Sequence, residues 1–345
     1  MTEQPPAAET VPEATPDTST ATPRSGRPTD RLRLAGANQR QVLGLVAVLA
    51  LLVAAGSVTT ENFFQISNLV LLLTQASIIG VVSIGMTFVI ISGGIDLSVG
   101  AIIALASVWA TTGATQDFGL AGMLFTAIVV ATVCGLVNGG LIAYGGLVSL
   151  IVTIAGMAGF RGLATLISGG RSQVVETSAF SAIATTDILG IPLLVYIFAT
   201  VVAVGWLLLN RTTFGRHVFA IGGNPEAARL AGIDVRRVRA TVFALSGLCC
   251  GIAAIMLTAR TNTGASTHGT FYELDVIAAV ILGGTLLTGG RGTLIGSILG
   301  VLVFTTVTNI FVLNNLSTPI QQIAKGVIIV VAVLLQRRAN KEAAT

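Results

Sequence analysis

Apolar residues recur in long runs from about position 41 to 336, separated by short polar or glycine-bearing gaps. The runs fall near 41–57, 68–92, 98–113, 118–142, 147–168, 188–209, 239–260, 272–288, 293–313 and 319–336. Their lengths approach the roughly 20 residues with which a helix crosses a bilayer. Because lipid satisfies no backbone polar group, such runs must be helical. The pattern therefore predicts an all-α polytopic membrane protein of about ten spans. Residues 1–38 are rich in Pro, Thr, Ala and Glu before turning basic, and contain no apolar run of signal-peptide type. They are expected to form a disordered tail, with 39–338 as the membrane domain and 339–345 as a short C-terminal tail.

One interruption stands out. In GGIDLSVG (93–100) an aspartate sits among glycines between two apolar runs, where an ionised side chain costs roughly 2.5–3.5 kcal/mol at bilayer depth. Gly93 and Gly94 are suited to ending one helix, and Asp96, followed by Ser98 and Gly100, to capping the next. The sequence thus predicts a discontinuous helix near 93–100, its unpaired backbone facing the bundle interior or a rim. Two roles stay open for Asp96: a structural cap at a gate or hinge, which the capping geometry favours, and direct contact with a substrate. A second segment, GGRGTLIG (289–296), repeats the glycine spacing, although 40 glycines make chance similarity a strong competitor.

Composition narrows the class. Hydrophobic residues make up 53% and charged residues 10% of 345 positions, too little polar surface to cover a soluble globule. The lipid bilayer, not nucleic acid, is the expected surrounding. Cys134, Cys249 and Cys250 lie in apolar stretches without zinc-ligand spacing and read as small buried hydrophobes. His217 and His268 are the two histidines and lie far apart, so no metal or histidine proton-shuttle site is expected. No G-x-x-x-x-G-K-[ST] phosphate loop occurs, so the chain is not expected to be an enzyme or to bind ATP itself.

Basic residues cluster before the first run, between the sixth and seventh (Arg211, Arg216, Arg229, Arg236, Arg237, Arg239), and after the tenth. Retention of Lys and Arg on the cytoplasmic side, with an even span count, places both termini in the cytoplasm. The loops near 168–187 and around His268 are then external. In the cytoplasmic loop 211–238, Asn224 is a suitable N-cap, Pro225 fits the first helical position and Glu226 complements the helix start. Gly232 provides a left-handed stop. A two-turn helix over 225–231 is predicted, with Ala227 and Ala228 forming a slim face and Arg229 available to acidic groups. It serves either to close the bundle or to dock a partner.

Among polar residues within runs, Asn138, Thr153, Arg161, Asn309 and Lys325 are candidates to line a pathway or to bind helices together. Arg161 is expected to reach the cytoplasmic interface. Glu273 and Asp275 are expected to face outside, either docking a partner or complementing a helix start.

Several segments carry a family resemblance. EAARLAGI (226–233), preceded by RTTFGRHVFAIGGNP, is similar to the coupling segment of ribose-type permeases of ATP-binding-cassette (ABC) importers, and GMTFVIISGGIDLSVG resembles that family's signature. VNGGLIAYGG (137–146), RGLATLISGG (161–170), YELDVIAAVILGGTLLTGGRGTLIGSILG (272–300) and AKGVIIVVAVLLQRR (324–338) follow in the same order. At 147–154 the chain has LVSLIVTI where family members often have a Pro-Pro-Phe-Ile-Val-Thr-Leu-like run. The resemblance implies a type II importer permease fold in a bacterial inner membrane. It also implies a second permease subunit, identical or different, and an ATPase pair holding ATP and Mg. An external binding protein would deliver a sugar.

On this reading Asn224, Pro225, Glu226, Ala227, Ala228, Arg229 and Gly232 couple to the ATPase. Gly93, Gly94, Asp96, Ser98, Gly100, Asn138, Thr153, Arg161 and Asn309 serve gate or pathway. Autoinducer-2-like or branched-chain amino acid substrates are alternatives within the family. An ion-coupled secondary transporter needs no coupling helix, and an intramembrane enzyme lacks a partner motif for Asp96.

Overall fold

The computed structural model describes residues 28–342, with side chains over 42–331 and at 334. Residues 1–27 of the expected N-terminal tail and 343–345 of the C-terminal one lie outside the described residues. The chain divides into two units, Met1–Arg40 and Gln41–Thr345. The helical bundle belongs to the second.

Helix α1 (Pro28–Thr59), which begins inside the segment expected to be tail, is followed by α2 (Ile66–Ile91), α3 (Val99–Ala110), the single turn α4 (Gly113–Gln116), α5 (Gly119–Ala143) and α6 (Ser149–Ser168). Strand β1 (Gln173–Val174), α7 (Ser178–Thr185), β2 (Asp187–Ile188) and β3 (Ile191–Pro192) lead into α8 (Leu193–Arg211), α9 (Thr213–Gly223) and α10 (Pro225–Leu230). The chain continues through α11 (Val235–Thr261), β4 (Thr263–Gly264), α12 (Tyr272–Leu282), α13 (Leu294–Leu313) and α14 (Thr318–Glu342). The short strands pair antiparallel, β1 with β4 and β2 with β3.

Each expected span has a helix, but not each helix is a full span. Among the described residues, seven are long and apolar enough to cross a bilayer: the 42–59 part of α1, then α2, α5, α6, α8, α11 and α13. Helix α3 has 12 residues and α12 has 11, about 16–18 Å at 1.5 Å per residue. That is roughly half of the ~30 Å hydrocarbon core. The runs read as spans at 98–113 and 272–288 are therefore half-helices. Runs of apolar residues mark burial, and burial in protein does not require a helix to cross the whole membrane.

The centre of the bundle is the pair α2 and α11, each with 61% of its apolar window buried, against 11% for α1. Small residues bring α11 onto α5. A Cβ at Gly139 would lie 2.8 Å from the Ala240 carbonyl oxygen, and one at Gly251 would lie 3.0 Å from the Ala127 carbonyl oxygen. Gly135 and Gly247, one turn away on their respective helices, face one another across the same seam. Without a hydrophobic drive between helices in lipid, such backbone approach supplies the packing. The three cysteines are buried free thiols.

Direct bonds define the two ends of the bundle. At one end, the strand face, β1 pairs with β4, Thr111 Oγ1 donates to Gln173 (2.8 Å) and Asn314 reaches Thr59 (3.3 Å). At the other, the α10 face, the turns after α2, α9 and α12 come together.

Candidate functional site

Helix α2 ends where glycine allows it to. Gly93 is left-handed (φ 83°), and the amides of Ser92, Gly93 and Gly94 close back onto the carbonyls of Phe88, Ile90 and Val89, satisfying carbonyls a helix end leaves open. The chain then runs irregularly to Val99. Within this break Asp96 is fully buried. Its Oδ1 accepts from the Ser98 amide (3.0 Å) and Ser98 Oγ (2.6 Å), and its Oδ2 accepts from Ser246 Oγ of α11 (3.0 Å). Ser98, not Asp96, occupies the N-cap position of α3. The expected cap is thus displaced by two residues, and Asp96 ties the break to the central helix.

Two further candidates complete this network. Asn138 Nδ2 donates to Ser98 Oγ (2.8 Å). Thr153 Oγ1 donates to the Ile95 carbonyl (3.3 Å), while Ser149 Oγ accepts from the Ile95 amide (3.2 Å). The break is therefore lined by α5, α6 and α11, and side chains satisfy the Ile95 amide and carbonyl and the Ser98 amide, the kind of help irregular backbone within a membrane requires. Asp96→Ala removes three bonds and is expected to cost about 3 kcal/mol, whereas Asp96→Asn keeps an acceptor and is expected to cost about 1 kcal/mol. Thermal unfolding of the purified protein in detergent checks the ordering.

The remaining polar candidates separate. Asn309 forms a reciprocal amide pair with Asn68 (2.7 and 3.2 Å), joining α13 to α2. Lys325 is bonded to both carboxylate oxygens of Asp275 (3.0 and 2.9 Å). Asp275, expected to face outside, is instead buried and holds α14 against α12. Arg161 does not reach the α10 face. It lies in the second half of α6 and its Nη1 donates to the carbonyls of Ser266 (2.5 Å) and His268 (2.8 Å). No local pattern announces these partners, because they lie 50 to 241 residues away.

The α10 face carries the other cluster. Asn224 Oδ1 accepts from the amides of Glu226 and Ala227 (both 3.0 Å), with Pro225 at the first turn. The helix ends at Leu230, one residue earlier than expected, and Gly232 is left-handed (φ 82°). The Ile233 amide closes onto the Ala228 carbonyl (3.0 Å). Arg229 meets Glu226 of its own helix (2.6 Å), both side chains exposed. Ala228, expected beside Ala227 on the slim face open to a partner, is instead buried against the bundle, whereas Leu230, which no capping signal marks, is 80% exposed. The result is a rigid, capped projection with an apolar tip.

The mounting of this projection has no signature in the sequence either. Helix α9 packs inward through Val218 and Ile221, and its Phe214 stacks on Phe88 of α2. At its end a Cβ on Gly222 would overlap the Ile91 carbonyl, which accepts from the Gly290 amide (2.9 Å). A Cβ on Gly289 would stand 2.9 Å from Gly93 Cα. Three glycine pairs, 93–94, 222–223 and 289–290, therefore meet, joining the end of α2, the root of α10 and the turn before α13. The doublets are visible in the sequence, but only the fold shows that they touch.

A model of the family described as "branched-chain amino acid transport system / permease component" matches residues 68–333. The chain belongs to this permease family. The permease is 38% identical over 312 residues to the ribose import permease protein of Bacillus subtilis, covering 87% of this chain and 94% of that one. It is 35% identical over 300 residues to the ribose import permease protein of Haemophilus influenzae, covering 86% and 92%. It is 38% identical over 304 residues to an L-arabinose ABC transporter permease protein of Azospirillum brasilense, covering 86% and 90%. No solved structure matches the permease.

Proposed function

We propose that this permease is the membrane subunit of an ATP-driven importer for an aldopentose-like sugar. The observation that carries the reading is similarity along nearly the whole membrane domain to permeases for ribose and for L-arabinose, two sugars of one chemical class. The geometry supports it. Helix α10 projects from the bundle with Ala227 and Leu230 outward, a shape that fits a groove on a partner, and its root rests on the break that follows α2.

In this reading α10 is the coupling helix, and Asn224, Pro225, Glu226, Arg229 and Gly232 hold its shape. The partner is an ATPase pair that carries ATP and Mg. The α10 face, with Arg211, Arg216, Arg236, Arg237 and Arg239 around it, is cytoplasmic, and both termini lie on that side. The strand face receives a sugar-loaded binding protein, and a second permease subunit completes the pathway. The 93–100 break, held by Asp96, Ser98, Asn138 and Thr153, acts as the hinge against which α10 moves, and Asp96 works as a structural tie.

The test is uptake of labelled ribose, arabinose, glucose and leucine into proteoliposomes holding the permease with its ATPase and binding protein. Pentose accumulation that needs both ATP and the binding protein is the expected result. Leucine accumulation overturns the substrate class, and uptake driven by an ion gradient without ATP overturns the importer.

A further inference from the structure

The segment between α11 and α12 is not a surface loop. Gly264 of β4 lies against Ser107 and Thr111 at the far end of α3, and Ser107 Oγ reaches the Ala265 carbonyl (3.4 Å). Gly269 lies against Gly100 at the start of α3. Residues 262–271 therefore run antiparallel along α3 and descend from the strand face to its inner end, where α12 begins. One crossing is built from the 92–98 break plus α3, the other from 262–271 plus α12. They meet at Gly100 and Gly269.

Polar groups without protein partners gather at this meeting point. A Cβ on Gly100 would stand 2.6 Å from Glu273 Oε2. That oxygen and His268 Nδ1 are both buried with no hydrogen-bond partner. Arg161 spends one nitrogen on the Ser266 and His268 carbonyls. Its other nitrogens donate to no protein atom among the described residues, and no ion pair within 4.0 Å joins it to Glu273. An unsatisfied buried polar atom costs about 1–3 kcal/mol, so two of them, on the re-entrant segment and α12, beside the spare nitrogens of Arg161, call for a ligand that supplies the missing bonds.

We propose that Arg161, His268 and Glu273 form a transient contact site for the hydroxyl groups of the transported solute, at the junction of the two half-helices. This rests on the importer reading and deepens it. A hydroxyl donates once and accepts twice, so one sugar hydroxyl accepts from the guanidinium while donating to the Glu273 carboxylate. The two charges oppose one another, which disfavours anions at Glu273 and cations at Arg161. Binding sites between discontinuous helices near the bilayer middle recur in transporters. The re-entrant segment, with Thr267 and Thr270 exposed on it, forms the wall.

The experiment uses the full complex in proteoliposomes, with ribose and its 2-deoxy analogue each presented on saturating loaded binding protein. Glu273→Gln, which keeps the shape and loses the charge, is expected to slow ribose uptake about tenfold and to shrink the ratio between ribose and deoxyribose. The thermal midpoint of the complex stays at the wild-type value. Arg161→Lys, which keeps the charge and loses the planar donors, is expected to shrink the same ratio. An unchanged ratio in both variants, or uptake that falls only in step with the thermal midpoint, overturns the site. A wild-type complex that imports no sugar with ATP overturns the importer reading instead.

Discussion

Gly222→Val is expected to abolish ATP-driven uptake, by a factor of about a hundred or more, in a protein that still inserts and purifies. A side chain here enters the space of the Ile91 carbonyl and the Gly290 amide, both backbone. Neither yields by changing a rotamer, so the root of α10 must lift from the end of α2 or the turn before α13 must move. Overpacking of this kind costs about 1–3 kcal/mol. The larger consequence is mechanical, because the coupling projection loses its seat on the break. Its neighbour supplies the control. A Cβ at Gly223 would meet open space, and the φ there is ordinary, so Gly223→Ala is expected to keep uptake near wild type. Gly232 is intermediate: it also faces open space but has φ 82°, so alanine there costs about 1 kcal/mol of backbone strain. ATP-dependent uptake and coupled ATP hydrolysis, measured on the three variants in parallel, give the ordering. Equal activity of Gly222→Val and Gly223→Ala would remove the junction from the mechanism.

Lys325→Ala is the most destabilising single truncation expected among the ionisable residues. Lys325 lies 2.9 Å from Asp275, the side chains are 20% and 9% exposed, and its Nζ sits 5.3 Å from the Phe304 ring centre. Removing one partner of a buried pair leaves the other charge uncompensated and costs about 3–5 kcal/mol. The effect should appear as loosening of α14, whose outward side chains Ile323, Val327 and Val330 are exposed and so contribute little to holding it on the bundle. The double replacement Lys325→Met with Asp275→Leu restores most of the loss, because a hydrophobic pair of similar volume avoids the desolvation cost. A double-mutant cycle on the thermal midpoint in detergent measures the coupling. Additive losses would show that the pair does not hold α14.

Much of this molecule is legible in one dimension. The apolar runs specify helices because lipid leaves the backbone no other way to satisfy its amides and carbonyls. The capped helix α10 follows from local chemistry alone: Asn224 reaches amides two and three residues on, and Gly232 ends the helix by its own φ. The break after α2 is local too, since Gly93 and the closing amides lie within a few residues. Even Asp96, misplaced by two residues as a cap, is located in the right turn by its neighbours.

The features that one dimension hides involve partners distant along the chain. The half-length of α3 and α12 is hidden because the re-entrant segment 262–271 carries no pattern of its own and takes its path from contact with α3. Asp275 reads as a helix-start charge until α14 brings Lys325 beside it. Arg161 reads as an interfacial arginine until Ser266 and His268 present their carbonyls. The glycine doublets are plain in the sequence, yet their meaning lies in touching one another. Sequence determined the helices, the break and the capped projection, because capping and hydrophobic burial act over a few residues or over whole segments. Tertiary structure alone decided which buried charges are paired and which are left without partners, because Coulomb attraction and hydrogen bonding depend on ångström distances between elements that sequence spacing does not encode.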